Sequence, residues 1–224
     1  MRMQGSSDTS RTMSKFAILL GGRLKPTPRL LAQIAGARII AADSGMIHAG
    51  TLKVTPELWV GDFDSTSLDL ARRHAAITRQ EYPAEKSTTD GELAIDEALR
   101  RGAGELILLG GFGGQADHML GHLGLLLNLA GRAVKALLTS GNEEAYALLP
   151  GKLSLDLADG DRLSIIPFSD LEGLDIANVK WPLSDRTVPL GSSLTLSNMA
   201  LGRVSIALRS GYGVVVAYPR ADAA

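Results

Sequence analysis

Short apolar runs alternate with helical patterns over the first part of the chain. The runs predict strands at FAILLGG, RIIAADSG, LWVGDFD, near 79–82, ELILLGG and VKALLTS. Patterns between them predict helices over 29–36, 46–50 and 66–77, and in TDGELAIDEALRRG and ADHMLGHLGLLLNLAGR. Continuous apolar strands that alternate with helices are typical of a parallel sheet covered on both faces. We therefore expect a three-layer α/β domain over 16–140.

The pattern changes from helical to strictly alternating after Gly141. Leu153, Leu155 and Leu157 alternate with polar residues, a turn follows at 159–161, and short alternating strands separated by glycine continue to the C-terminus. A two-residue period of this kind is typical of strands with one buried face. We expect an all-β sandwich over 141–224. Residues 1–15 are polar and without period, and they predict a disordered extension.

Composition limits the classes of partner. The chain has 224 residues, of which 45% are hydrophobic, so it can fill a core. Lys and Arg number 23 and Asp and Glu number 24, a balance that predicts neither a nucleic-acid nor a membrane partner. Cysteine is absent from the sequence, which excludes disulfides and thiol nucleophiles and fits a reducing compartment. Because no signal peptide is recognised, we expect a cytoplasmic protein with small-molecule substrates.

Four predicted strands end in polar, glycine-rich segments. These segments are Gly21-Gly22, Asp43-Ser44-Gly45, 61–65 and 110–114. An open α/β sheet binds its ligand beyond the carboxyl ends of its strands. Each segment alone could be only a turn, but four at one edge predict a shared polar site.

Two carboxylates follow the third strand. If the chain stays extended from Asp62 to Asp64, both side chains point to the same side, since side chains alternate with period two. Hard oxygen ligands without cysteine favour Mg²⁺. The alternative is an Asp-Ser turn followed by a helix cap, because Ser65 and Thr66 precede a helical pattern.

Asp90 adds a further acid in the first turn of the next predicted helix, after an N-cap at Thr88 or Thr89. Alone, it would merely complement the helix dipole. Together with Asp43 and the two aspartates of GDFD, it would form an acidic cup at the sheet edge, which we call the aspartate cup.

The segment GGFGG precedes a helix that starts near Ala116. Glycines allow main-chain N–H groups to approach phosphate oxygens, but the spacing matches neither the dinucleotide fingerprint nor the P-loop. His118 and His122 could form a metal pair. Without a nearby third ligand they are interpreted as packing and surface residues.

The motifs ADSG, GDFDS, K-x-x-TD-x-E-x-A and GGFGG-x-x-DH, followed by WPL and SN, occur in this order. In this order they resemble the thiamine pyrophosphokinase family over nearly the whole chain after Lys15. The resemblance implies an α/β domain joined to a β-sandwich, and a homodimer. It also implies diphosphate transfer from ATP to the hydroxyethyl group of thiamine with Mg²⁺, releasing AMP.

The resemblance also implies roles for individual residues. Asp62, Asp64 and Asp90 would be catalytic and, with Asp43, would surround the metal. The implied nucleotide-site positions are Asp43, Ser65, Lys86, Thr89, Gly111, Gly113, Gln115 and Asp117. The implied thiamine-site positions are Trp181, Ser197 and Asn198, although an indole in a β domain can also simply be core.

Two positions depart from the family pattern. Ser87 stands where the family usually has Asp, and Gln115 stands where it usually has Arg. The second change removes a phosphate or nucleotide contact, so the nucleotide preference stays open.

Three alternatives remain. A related pterin pyrophosphokinase would use the same phosphate chemistry on 6-hydroxymethyl-dihydropterin. DFDST also satisfies the D-x-D-x-T signature of haloacid-dehalogenase-type phosphatases, with Asp62 as nucleophile and Asp64 as acid/base. Those enzymes place the motif on their first core strand, whereas two strands precede it here. A non-catalytic nucleotide-binding module would bind a tetra-anion more simply with Arg and Lys than with carboxylates.

Overall fold

The structure is a computed structural model, and it describes residues 14–64, 66–83, 85 and 87–220. Most of the predicted N-terminal extension therefore lies outside the described residues, as do two predicted nucleotide-site residues, Ser65 and Lys86.

Six parallel strands form the sheet of the first half, as predicted. They are β1 (Ser14–Leu19), β2 (Arg38–Ala42), β3 (Leu58–Gly61), β4 (Arg79–Glu81), β5 (Ala103–Leu109) and β6 (Lys135–Thr139). Their order across the sheet is β6-β5-β1-β2-β3-β4. Strands β2, β3 and β4 follow on one side of β1, whereas β5 and β6 lie on its other side. This change of direction places the carboxyl ends of β1, β2 and β5 next to one another.

Five helices cover the two faces of this sheet. They are α1 (Pro28–Ile34), α2 (Ile47–Leu52), α3 (Leu68–Arg73), α4 (Asp90–Arg100) and α5 (Ala116–Gly131). Leu30, Leu52 and Leu70 place α1, α2 and α3 in one apolar core, together with the buried Trp59. Helices α4 and α5 contribute to a separate core with the other face of the sheet. The three-layer prediction is confirmed.

Local capping explains where two of these helices begin. The Thr27 hydroxyl accepts from the Leu30 N–H at 3.1 Å, and Pro28 fits the first turn because that position needs no donor. The Ser67 hydroxyl likewise accepts from the Leu70 N–H at 3.2 Å. Helix α3 is shorter than the predicted 66–77, and its N-cap is Ser67.

Seven strands make up the second half. They are β7 (Glu144–Leu148), β8 (Gly151–Leu155), β9 (Arg162–Pro167), β10 (Leu171–Val179), β11 (Leu183–Val188), β12 (Asn198–Leu208) and β13 (Gly213–Tyr218). The start of β12 pairs with β9 and its remainder pairs with β8, so β12 links two antiparallel layers. Alternate residues such as Val204, Ile206 and Leu208 fill the core between these layers. The predicted β-rich second half is confirmed.

The two halves share one continuous sheet. Strand β7 pairs antiparallel with β6 on one side and with β13 on the other. In β13, Val214 and Val216 pack into the core below α5, whereas Val215 and Ala217 pack into the core of the second half. The predicted boundary near residue 140 therefore crosses a hydrogen-bonded sheet, and the division into two domains stays a prediction.

A buried carboxylate joins α1 to β7. The Glu144 side chain is 1% exposed, and it accepts from Arg29 Nε at 2.6 Å and from Arg29 Nη2 at 2.9 Å. Gln33 Nε2 donates to the same carboxylate at 2.6 Å, and the Tyr146 hydroxyl donates to it as well. Burial and the adjacent charge of Glu144 raise the pKa of Tyr146 above its usual range. The carboxylate is well satisfied, so its removal would leave several buried donors without an acceptor.

We expect Glu144→Ala to lower the free energy of unfolding by about 3–5 kcal/mol, the usual cost of breaking a buried ion pair. Urea unfolding monitored by circular dichroism measures this difference. The control is Glu105→Ala, whose partner Lys135 has a 78% exposed side chain. It should cost less than about 1 kcal/mol. Equal losses in the two variants would contradict a structural role for the buried network.

Candidate functional site

A cavity of about 490 Å³ lies where β1, β2 and β5 end. Main-chain atoms of glycine form much of its wall, and Asp43 and Asp90 are the carboxylates that line it. The described residues that line it are Leu20, Gly21, Gly22, Ala42, Asp43, Ser44, Thr89, Asp90, Gly91, Gly110, Gly113, Gly114, Gln115, His118 and His122. Its volume is within the range of small-molecule sites in proteins.

Below this cavity, backbone segments lie in direct contact with one another, with no side chain between them. A Cβ atom on Gly45 would lie 2.0 Å from the carbonyl oxygen of Leu19, and one on Gly22 would lie 2.3 Å from that of Gly110. The Gly22 N–H donates to the same Gly110 oxygen at 2.8 Å. Any side chain at these positions would separate the loops, so glycine is what leaves room for a ligand beside the backbone.

Asp43 is held at the wall by its own main chain. It follows β2, opens a 3₁₀ turn at Asp43–Met46 and has φ +40°. Its carbonyl oxygen accepts from Trp59 Nε1 at 2.8 Å. A Cβ on Gly61 would lie 3.2 Å from the Asp43 Cβ, so the ends of β2 and β3 meet here. This close contact brings Asp43 next to Gly61, the first residue of the GDFD segment.

The expected geometry of Asp62 and Asp64 is wrong. Strand β3 ends at Gly61, and Phe63 has φ +62°, so the segment is not extended and the two-residue alternation does not apply. Phe63 turns inward and packs edge to face against Trp59, with ring centroids 5.1 Å apart. Asp62 Oδ1 instead accepts from the Asp64 N–H at 3.2 Å. Neither residue is among those lining the cavity.

Asp90 reaches the cavity as the first residue of α4. The Thr89 hydroxyl accepts from the Glu92 N–H at 3.2 Å, and the Glu92 carboxylate accepts from the Thr89 N–H at 2.9 Å. This capping box fixes the start of the helix. A Cβ on Gly91 would lie 3.0 Å from Leu20 Cδ2, so the first turn sits closely against β1. The predicted N-cap at Thr89 is confirmed.

The glycine-rich loop contributes some of its predicted residues and not others. Gly113, with φ +74°, and Gln115, the N-cap of α5, both line the cavity. Gly111 does not line the cavity, and its carbonyl oxygen lies 3.0 Å from His122 Nδ1. Asp117 lines an adjoining cavity of about 290 Å³ together with Thr89.

Two histidines of α5 line the main cavity and the adjoining one, although the sequence indicated no ligand-binding role for them. The rings of His118 and His122 are edge to face with centroids 6.5 Å apart. Their i,i+4 spacing just after a glycine-rich loop was the signal that could have placed them at the sheet edge.

The donor set fits a hard cation. Asp43 and Asp90 present carboxylate oxygens to one cavity, and Mg²⁺ prefers such ligands while keeping water and phosphate in its shell. Among the residues that the structure describes, no three His, Asp or Glu side chains are grouped as an all-protein metal centre. This arrangement matches a cation that a phosphate-bearing ligand helps to hold.

The three predicted thiamine-site residues lie together in the second half. Asn198 is buried, its Oδ1 accepts from the Trp181 N–H at 3.2 Å, and its Nδ2 donates to the Trp181 carbonyl at 2.8 Å. Ser197 precedes it with φ +58°. The Trp181 residue is 53% exposed, so the alternative of a core indole is wrong. Lys180 Nζ lies 4.6 Å from the centroid of its ring.

Fold and site together define a class of two-part enzymes, in which a polar cavity at a parallel sheet edge is joined to a β-rich half. Residues 33–138 match the family described as thiamin pyrophosphokinase, catalytic domain. Residues 152–212 match the one described as thiamin pyrophosphokinase, vitamin B1 binding domain. The chain belongs to the thiamine pyrophosphokinase family.

Individual relatives agree with this assignment. The thiamine pyrophosphokinase of Bacillus subtilis strain 168 is 34% identical over 163 residues, covering 71% of this chain and 76% of the relative. A crystal structure of thiamine pyrophosphokinase from Bacillus subtilis superimposes with a TM-score of 0.81 at 26% identity, covering 92% of this chain and all of that one. One from Geobacillus thermodenitrificans gives 0.79 at 25% identity, covering 94% and 100% of the two chains.

The comparisons do not favour the pterin, phosphatase or non-catalytic alternatives. As to membranes, no helix in the described part of the chain has the length and apolar character of a membrane span.

Two histidines around the cavity should make stability depend on pH. His48 Nε2 lies 2.9 Å from the Gly22 carbonyl oxygen, and His122 Nδ1 contacts that of Gly111, so each ring nitrogen donates. Burial lowers the pKa of both rings below the usual 6.5. The unfolded chain therefore binds more protons below pH 6.5, and folding is favoured most above that pH.

We expect the free energy of unfolding to fall as the pH drops from 6.5 through the lowered pKa values. Urea titrations between pH 7.5 and 5.5 measure this fall. Replacing both residues in His48→Gln/His122→Gln keeps amide donors but removes the titrating groups, so the fall should become smaller. A variant that loses as much stability as the wild type would contradict the prediction.

Proposed function

We propose that this protein transfers the terminal diphosphate of ATP to the hydroxyethyl group of thiamine, giving thiamine diphosphate and AMP. The observation that carries the proposal is the cavity at the carboxyl edge of β1, β2 and β5. It combines exposed glycine main chain with two fixed carboxylates, in a member of the thiamine pyrophosphokinase family. Diphosphate transfer requires alignment and charge neutralisation more than a covalent intermediate.

The glycine-rich loop and α5 would bind the phosphates of ATP. Gly113 and Gly114 both have positive φ and line the cavity, so their main chain is open to a ligand. Gln115 caps α5 without a side-chain hydrogen bond, and α5 is 16 residues long. The N-terminus of such a helix favours an anion through its N–H groups and its dipole.

The aspartate cup would hold Mg²⁺. Asp43 and Asp90 are fixed by the Trp59 hydrogen bond and by the capping box, and we propose Asp62 and Asp64 as the remaining ligands. Bound Mg²⁺ supplies charge neutralisation and orientation of the phosphate oxygens. The cup carboxylates are also our candidates to accept the proton that the thiamine hydroxyl loses.

The second half would bind thiamine. Trp181 presents an exposed indole face, and a cationic thiazolium on such a face gains about 0.5–2 kcal/mol. The Asn198 side-chain amide forms hydrogen bonds with both the N–H and the carbonyl oxygen of Trp181, and these bonds fix the backbone that carries the indole ring. Because Trp181 does not line the α/β cavity of its own chain, we propose a homodimer with the acceptor site near the contact between β halves. We further propose a cytoplasmic location, in keeping with the absence of cysteine from the sequence.

The reaction itself gives the first test. Incubating protein, ATP, Mg²⁺ and thiamine should give AMP and thiamine diphosphate in equal amounts, identified by mass spectrometry. The reaction should stop when EDTA removes the cation. Formation of ADP with thiamine monophosphate would contradict diphosphate transfer, and product formation from 6-hydroxymethyl-dihydropterin alone would favour the pterin alternative.

The aspartate cup is tested by removing one charge at a time. Replacing Asp43, Asp62, Asp64 or Asp90 singly by Asn should lower turnover at least ~10²-fold, since positioned charge stabilisation of this kind is worth about 3–4 kcal/mol. The measurement is the rate of AMP formation at saturating ATP and thiamine. Asp96→Asn is the matched control, because Asp96 is exposed on α4. It should keep wild-type turnover. Normal rates in the Asp62 and Asp64 variants would show that these two only shape a turn.

Exposed apolar residues in the segment 194–201, which contains the Trp181 partner Asn198, motivate the dimer. They are Leu194, Leu196, Met199 and Leu201, with Leu201 58% exposed. We expect a dimer by light scattering at micromolar concentration, and Leu201→Glu should shift it toward monomer and lower turnover. Leu68→Glu, at a 76% exposed position on α3, is the control and should stay dimeric. A fully active wild-type monomer would contradict the proposed assembly.

A further inference from the structure

We propose that Arg23 is a phosphate-binding residue of the nucleotide site. Its guanidinium lies on the glycine-rich loop and would neutralise the phosphates that the aspartate cup cannot contact without a cation. The inference rests on the proposed function, because it takes the cavity to be the ATP site.

The main chain ties Arg23 to the glycine-rich loop. It follows Gly21-Gly22 at the end of β1, and its N–H donates to the Phe112 carbonyl oxygen at 2.9 Å. Arg23 and Phe112 also form an isolated antiparallel bridge. The segment after β1 is therefore fixed against the loop that follows β5.

The Arg23 side chain packs on a residue that lines the cavity. A Cβ atom on Gly113 would lie 2.2 Å from Arg23 Nε and 3.0 Å from Arg23 Cζ. The guanidinium thus occupies the space that any larger residue at 113 would fill. Since Gly113 itself lines the cavity, the guanidinium is in contact with a residue of the cavity wall.

The charges around the cavity favour a role for Arg23 in binding an anion. Among the residues that the structure describes, those lining the cavity include Asp43 and Asp90 but neither Lys nor Arg. ATP is itself a tetra-anion, and a single Mg²⁺ offsets only two of these charges. Anionic ligands in such a site need a further cation, and a guanidinium offers donors in a geometry that matches phosphate oxygens.

The Arg23 guanidinium is not committed to another structural partner. Within the described part of the chain, it forms neither an ion pair nor a side-chain hydrogen bond. Arg29, Arg38 and Arg101, by contrast, are each paired with a glutamate. Arg23 is also exposed, so its donors remain available for a ligand.

A neighbouring lysine provides a matched control. Arg23 and Lys25 together line a second cavity of about 570 Å³ with Ser140 and Glu143. Lys25 has the same charge on the same loop, and neither it nor Arg23 is among the described residues that line the cavity at the ends of β1, β2 and β5, but only the Arg23 side chain packs on Gly113 of that lining. Its own N–H donates to the Ser140 carbonyl oxygen, away from the glycine-rich loop.

The test measures nucleotide binding without turnover. Isothermal titration calorimetry with Mg²⁺ and a non-hydrolysable ATP analogue, and separately with AMP, compares wild type with Arg23→Gln, Arg23→Lys and Lys25→Gln. We expect Arg23→Gln to weaken binding of the analogue about 10- to 100-fold, the usual effect of losing a charged hydrogen bond. AMP should weaken less, Arg23→Lys should keep part of the affinity, and Lys25→Gln should bind like wild type.

The outcomes separate this inference from the proposed function. Wild-type binding that Arg23→Gln leaves unchanged would overturn the role of Arg23 alone. Equal weakening of the analogue and of AMP would overturn an interaction with the transferred phosphates. Failure of wild type to bind the analogue would overturn the ATP site itself. Thermal melting of each variant verifies that the exposed substitution leaves the fold intact.

Discussion

Direct main-chain packing at the carboxyl edge of the sheet is the constraint on which the rest of the site depends. Gly45 lies against the Leu19 carbonyl and Gly22 against that of Gly110, at distances that no side chain could enter. The loops after β1, β2 and β5 can therefore converge without filling the space between them. Because backbone forms much of the wall, Asp43, Asp90 and the start of α5 can line one cavity.

The second half is fixed relative to this edge by the sheet itself. Strand β7 continues the parallel sheet in the antiparallel sense, and β13 contributes alternate side chains to the cores on both of its faces. The buried Glu144 then joins β7 to Arg29 of α1. These contacts make the two halves of one chain a single packed unit.

The sequence predicted the order of strands and helices because apolar runs and helical periods are local signals. The N-cap of α4 was likewise predicted, as Thr88 or Thr89, since capping hydrogen bonds span only three residues. The bend at Phe63 was not predicted from the sequence, because the left-handed backbone conformation of Phe63 depends on packing against Trp59. The Asn198 contact with Trp181 also spans distant sequence, and only the resemblance put these two residues in one site.

Whether the nucleotide occupies the cavity between Asp43 and Asp90 is decided most directly by diffraction. Crystals grown with a non-hydrolysable ATP analogue and Mn²⁺ locate the phosphates by density and the metal by its anomalous signal. The expected result is a metal peak at these two carboxylates, with phosphate oxygens against the glycine-rich loop. A nucleotide bound elsewhere, for example in the cavity of about 430 Å³ beside Tyr146 and Leu153, would contradict the proposed site.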